Sequence, residues 1–158
     1  MTKECKQQFT LRITQANSTE LIVILYEMML CYLDEGKSAW NAQDTENFKD
    51  AVRKARGCLN ELMASLHMEY PPARELMQLY LFCLRRLAHA ESKVQIQPLE
   101  EIERVIRPLH EAYQKIAPQN EQGPVMNNSQ TVYAGLTYGR NTLTENMADQ
   151  GANRGMLV

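Results

Sequence analysis

Leu21-Ile22-Val23-Ile24-Leu25-Tyr26-Glu27-Met28-Met29-Leu30-Cys31-Tyr32-Leu33 is the stretch that decides how this chain folds. It is the longest apolar run. Glu27 interrupts it, and it is far shorter than the roughly 20 residues a membrane-spanning helix needs. Wound as a helix it carries two apolar stripes. One is Leu21, Leu25, Met28 and Tyr32; the other is Ile22, Tyr26, Met29 and Leu33. The stripes lie about 100° apart around the helix, a wider apolar arc than one neighbour covers. Just upstream, Asn17 and Glu20 have the spacing of a capping box, in which side chains satisfy first-turn N–H groups that otherwise lack partners. A helix is therefore expected over 18–41, touching more than one neighbour.

The same apolar period continues downstream, and no run of alternating β-branched residues points to a sheet. A second helix is expected over 45–66, with Asp44 as N-cap and a stripe of Phe48, Val52, Ala55, Leu59, Leu62 and Leu66 flanked by Met63. Lys49, Arg53, Lys54 and Arg56 read as its solvated side. Gly57 inside it costs about 1 kcal/mol against alanine, which a close helix–helix approach would explain. A third helix is expected over 72–92, with Pro72 in its first turn, where the missing N–H is not needed. A fourth is expected over 98–116, with Pro108 kinking it or removing one backbone bond. Short connections make each helix reverse the last. The expected fold is all-α: an antiparallel up-and-down four-helix bundle over 17–118.

Two segments fall outside that bundle. Residues 1–16 hold Phe9, Leu11 and Ile13 in alternation and read as an arm laid across it. Residues 119–158 hold five of the seven glycines and ten Asn or Gln. Such a segment buries too little apolar surface to offset its ordering entropy and reads as a flexible tail. Within it, Val132-Tyr133-Ala134-Gly135-Leu136-Thr137-Tyr138-Gly139 is an apolar island, either a docking strip or a plain linker.

Composition narrows the function. The chain of 158 residues is of single-domain length, and its net charge of −2 (17 Lys and Arg against 19 Asp and Glu) gives no basic excess for nucleic acid. Cys5, Cys31, Cys58 and Cys83 form no Cys-x-x-Cys pair, so buried reduced thiols in a cytoplasmic protein are the simpler reading. No apolar h-region of a signal peptide is present in residues 1–16. The residues three before His67, His89 and His110 are Ala64, Arg86 and Arg107, so the Glu-x-x-His pairs of a di-iron bundle are absent. There is no nucleophile elbow and no phosphate-binding glycine loop. His89 with Lys93 one turn on allows a phosphotransfer histidine, but the glycines that let a partner approach such a residue are missing. No enzyme, metal or cofactor is expected. What remains is apolar excess. There are nine methionines, and Met28, Met29, Met63, Met68 and Met77 cluster on the first three helices and the connection between the second and third. Methionine surfaces adapt to helical partners, although core filling is the blander account.

Over roughly residues 8–117 the chain resembles the flagellin-specific export chaperones of the bacterial flagellum, the FliS family. Asn17-Ser18-Thr19-Glu20-Leu21-Ile22 stands where the family has a Ser-Pro-Glu-Glu-Leu-Ile-like start, followed by Leu25-Tyr26-Glu27. Lys54-Ala55 and Glu61-Leu62-Met63-Ala64-Ser65-Leu66 are similar to the end of its second helix. Leu79-Tyr80 with Arg85-Arg86-Leu87 and Ala90 resembles the third. Leu99-Glu100-Glu101-Ile102-Glu103 with Ala112-Tyr113-Gln114-Lys115-Ile116 resembles the fourth, Tyr113 replacing the usual Trp. The chain departs from the family at Glu69-Tyr70-Pro71-Pro72, which replaces a Gly-Gly-Glu connection. It departs also at Ser18, where the family has its capping Pro, at Phe9, near the family's Tyr, and in the long tail.

The resemblance implies a cytoplasmic chaperone. Its client is the C-terminal segment of flagellin, disordered in the monomer and helical in the filament. Holding that segment blocks premature polymerisation and keeps flagellin competent for type III export. The export gate and a second copy of the chain stand as further candidate partners; nucleic acid and membrane insertion are not expected. The expected client site joins arm and helices. Phe9, Leu11 and Ile13 fill a groove until client displaces them, and the groove draws on Ile22, Tyr26, Met29 and Leu33, with Met63 and Leu66 nearby. Which of the two stripes faces the core stays open. Residues 141–158, with Leu143, Met147 and Met156-Leu157-Val158, loosely resemble a flagellin C-terminus, so a pseudo-substrate tail is a further expectation beside a plain extension. Rival readings are a His phosphotransfer protein and a chaperone for another flagellar or type III client.

Overall fold

The computed structural model describes residues 1–126. These are helical, with no strand among them. α1 spans Lys3–Gln15, α2 Ser18–Asn41, α3 Thr45–Ala64, α4 Pro71–Lys93 and α5 Gln97–Ile116, followed by a 3-10 turn at Ala117–Gln119. α2 packs on both α3 and α5, α3 on α4, and α4 on α5, while α1 lies on α2. The four long helices depart from the expected ranges by at most two residues at an end. None is long and apolar enough to cross a membrane, among the described residues. The expected tail features between 127 and 158 lie outside the described residues.

Residues 1–16 depart from expectation. The alternation of Phe9, Leu11 and Ile13 belongs to a helix. Thr2 caps α1 by accepting from the Cys5 N–H at 3.2 Å, and Ala16 ends it in an extended conformation. Helical spacing puts Phe9 and Ile13 on one face and turns Leu11 to the other. Phe9 is buried against Ala16 and Ile24, with Ile13 packed beside them, whereas Leu11 is 60 % exposed.

α2 begins as its sequence suggests. The Asn17 side chain accepts from the Glu20 N–H at 2.9 Å, and the Glu20 carboxylate accepts from the Asn17 N–H at 2.9 Å. One stripe of α2 enters the core, and it is the one containing Tyr26 (0 % exposed), Met29 (0 %) and Leu33 (1 %). They pack with Phe48, Val52, Leu59 and Leu62 of α3, Tyr80 and Leu87 of α4, and Leu99, Ile102 and Ile106 of α5. The stripe continues at Gly36, where a Cβ would come within 3.0 Å of Leu99 Cδ1. The tight glycine contact is therefore on α2. At Gly57, where the sequence suggests a close approach, an added Cβ would meet nothing within 4 Å. Pro108 lies inside α5 on an exposed position, so the carbonyl it leaves without an amide partner opens toward solvent.

Facing charges tie the helices together. On α2 and α5, Glu27 meets His110 at 3.2 Å and Lys37 meets Glu103. The cationic side of α3 is largely exposed at Arg53 and Lys54, and Arg53 (2.7 Å) and Arg56 converge there on Glu91 of α4. Cys58 and Cys83 are buried thiols, which burial pushes up to about 11 and about 12.

In the core, the hydroxyls of Tyr26 and Tyr80 share a hydrogen bond, and the Tyr113 ring lies 5.7 Å from that of Tyr26, centroid to centroid. Burial disfavours the ionised form of both core tyrosines and pushes their pKa up, that of Tyr80 to about 12. Each hydroxyl is tolerated there because the other satisfies it. Tyr80→Phe should cost about 1–3 kcal/mol by stranding the Tyr26 hydroxyl. The Tyr26→Phe/Tyr80→Phe pair should recover most of that loss in urea unfolding. A double variant no more stable than the single one would show that the pair is not what keeps these groups buried.

Candidate functional site

The second stripe of α2 faces outward and builds an apolar trough. Leu21, Leu25, Met28 and Tyr32 line it from α2, and Lys54, Gly57, Cys58 and Glu61 from α3. Ile13 of α1 stands at one edge, and Val125 and Met126, beyond the last helical turn, stand at another. The cavity measures about 510 Å³. Leu25 and Cys58 are its buried floor, and the half-buried Leu21, Met28 and Tyr32 are its wall. Leu21 and Met28 touch both the main core and the Phe9 cluster, so they are the seam between the helical body and α1. Gly57 is exposed on α3, and its missing side chain leaves the trough open above the α3 backbone.

Charge confines itself to the rim. The Lys54 ammonium lies 6.0 Å from the Tyr32 ring centroid and 2.7 Å from Asp50. Below α1, Arg12 donates to Glu27, which also meets His110. Burial opposes ionisation of Glu27, but its bonds to Arg12 and His110 outweigh that and hold its carboxyl below the ordinary 4.5. One carboxylate thus joins α1, α2 and α5. A lining of this kind suits the apolar face of another polypeptide segment, with the rim available for its polar side.

The residues expected at the client site divide. Ile13 reaches the trough, and Phe9 supports α1 from beneath. Leu11 points to solvent. Tyr26, Met29 and Leu33 are sealed in the core, and Ile22, Met63 and Leu66 pack half-buried against it. The stripe of Tyr26, Met29 and Leu33 is turned into the core, where Tyr26 has its hydroxyl partner, Tyr80, and the trough lies along the neighbouring stripe. Sequence reasoning named Leu21, Leu25, Met28 and Tyr32 as a stripe without placing them in the site, and it missed Gly57, Cys58, Glu61, Val125 and Met126. A usable signal lay just beyond the end of each stripe: three residues past Leu33 stands Gly36, and three past Tyr32 stands the charged Glu35. His89, the phosphotransfer candidate, is exposed on α4 with Nε2 3.1 Å from Gln95 Oε1. No three His, Cys, Asp or Glu side chains gather as a metal site among the described residues.

The described residues thus form an all-helical fold that carries an apolar trough beside a capped α2. The family model described as flagellar protein FliS matches residues 1–120, and the chain belongs to that family. Membership marks it as a flagellar export chaperone. A search of curated proteins returned no match.

Two measurements test the site itself. Gly57→Ala should raise stability by about 0.5–1 kcal/mol in chemical unfolding, since the methyl meets no obstacle and the helix gains propensity. A destabilised variant would mean that α3 needs glycine there. Glu27 ionises more readily in the folded chain. Its contribution is therefore full above the ordinary 4.5 and fades as pH falls through the lower folded value. Acidification should loosen α1, seen as faster amide exchange across Lys3–Gln15, and Glu27→Gln should loosen it already at neutral pH. Unaltered exchange in that variant would remove Glu27 as the latch.

Proposed function

We propose that the chain is a cytoplasmic chaperone for flagellin that holds the client's C-terminal segment in the trough between α2 and α3. On this reading α2 to α5 are an antiparallel up-and-down bundle over residues 17–118. The opposition of Glu27 to His110 and of Lys37 to Glu103 supports that topology, since one helix number rises as the other falls. Residues 1–16 are a cap on the bundle, and residues 119–158 a tail outside it. Binding alone does the work, without catalysis or cofactor.

The observation that carries the reading is the Leu21, Leu25, Met28 and Tyr32 face. It lies on the same helix as the core stripe, yet among the described residues its outward side meets just Ile13 and a short segment at Val125 and Met126. An amphipathic client segment presenting apolar side chains at helical spacing would complete the cover. Ordering it costs about 2–5 kcal/mol. Each well-buried Leu- or Met-sized anchor returns about 1.5–3 kcal/mol, so a few anchors give reversible but effective binding. Gly57 lets the client backbone come close to α3, and Lys54 and Glu61 offer charge to its polar side. Phe9, Leu11 and Ile13 move with α1 as the client enters. α1 makes the least extensive packing of the five helices, so it is the element that yields.

The test is calorimetric titration with a peptide of the C-terminal segment of flagellin. Leu21→Lys and Met28→Lys should each weaken binding at least tenfold, about 1.4 kcal/mol, with an unfolding midpoint close to that of the parent. Tyr26→Ala should instead lower the midpoint. Parent-like affinity in both lysine variants would take the client away from this face.

A further inference from the structure

Beyond the 3-10 turn, residues 120–126 stay on the helical body. Asn120 and Val125 fasten them back over the α1–α2 junction. The Asn17 side-chain amide donates to the Asn120 carbonyl at 3.3 Å, and the Asn120 amide donates to Thr19 Oγ1 at 2.9 Å and Ser18 Oγ at 3.2 Å. The Gln122 N–H donates to Asn120 Oδ1 at 3.0 Å. Farther on, the Val125 N–H donates to the carbonyl of Ala16, the residue that ends α1, at 2.9 Å. This strap, residues 120–126, brings Val125 and Met126 to the trough beside Ile13 and Met28. Both side chains remain about half exposed, at 54 % and 51 %.

We propose that residues 120–126 are a built-in competitor for the client: Val125 and Met126 occupy trough surface that client side chains need, and client entry lifts them off. This rests on the reading of the trough as the client site. Two structural features carry it. The strap's apolar residues line the same cavity as the outward stripe of α2, so the two occupants exclude one another there. Its fastenings, moreover, are a few hydrogen bonds on an exposed segment outside any helix, and they go to the junction from which α1 hangs. Lifting the strap breaks the Val125–Ala16 bond, which frees the end of α1. The competitor and the cap are thus released together, and the free protein keeps its apolar face covered until a client arrives. Half-covered side chains make a weak competitor, because a client that buries its anchors fully wins the exchange.

The full chain decides this in two measurements with the flagellin C-terminal peptide. Val125→Ser/Met126→Ser removes the competing side chains while leaving every helix untouched, and it should bind the peptide roughly tenfold more tightly than the parent by calorimetry. In the parent, methyl cross-peaks in NMR should connect Val125 with Leu21 or Met28 in the free protein and vanish at peptide saturation. Equal affinity in variant and parent, or Val125 cross-peaks that persist at saturation, overturns the strap as competitor while leaving the trough as the client site. Binding by neither protein overturns both.

Discussion

Everything in this molecule depends on the circumference of α2. A helix in a small domain ordinarily hides one apolar stripe and shows water the rest. α2 carries two. The core takes Tyr26, Met29 and Leu33 and completes itself with side chains from α3, α4 and α5. Leu25 is buried at the edge of that arrangement, and Leu21, Met28 and Tyr32 pack against it only in part. They need a separate cover, and α1 with the segment after α5 supplies a partial one. The trough is the remainder left after the core has been satisfied, and it is set into the most firmly held helix of the fold. A binding surface built on such an element stays in shape whether or not it is occupied.

The junction between α1 and α2 concentrates the control of that cover. Asn17 is buried and serves twice: its side-chain oxygen caps α2, and its amide nitrogen reaches the strap at Asn120. Glu27 sits two turns on from Glu20 and holds α1 through Arg12 while meeting α5 through His110. Polar contacts thus join the apolar packing of Phe9, Ala16 and Ile24 in setting where α1 and the strap rest. Such contacts exchange readily with water, whereas the Tyr26–Tyr80 core does not. The separation between what is fixed and what can shift is therefore chemical as well as spatial.

Much of this was legible in the sequence, and the failures have physical reasons. Helical period placed α2 to α5 within two residues, and Asn17 with Glu20 announced the start of α2, because both signals are local. α1 was hidden because Phe9, Leu11 and Ile13 satisfy a period of two as well as Phe9 and Ile13 satisfy a period of four. The choice between stripes on α2 depended on Tyr80, a partner 54 residues away from Tyr26, which no local pattern reveals. Gly57 suggested a close helix contact, but the crowded glycine is Gly36, under Leu99; a glycine in a helix signals space needed by something without saying what. Val125 and Met126 reach the trough through a strap whose bonds run back more than a hundred residues, to Asn17 and Ala16. Distance in sequence, not weakness of interaction, hid that part of the site.

The single tryptophan lies at the opposite end of α2. Trp40 is two turns beyond Tyr32, and its indole N–H donates at 3.2 Å to the carbonyl of Val94, the left-handed residue (φ 51°) that closes α4. Its emission therefore reports whether α2, α4 and the turn into α5 remain assembled. It is not among the residues that line the trough. The molecule carries its own optical gauge of integrity, physically apart from the surface where guests would come and go.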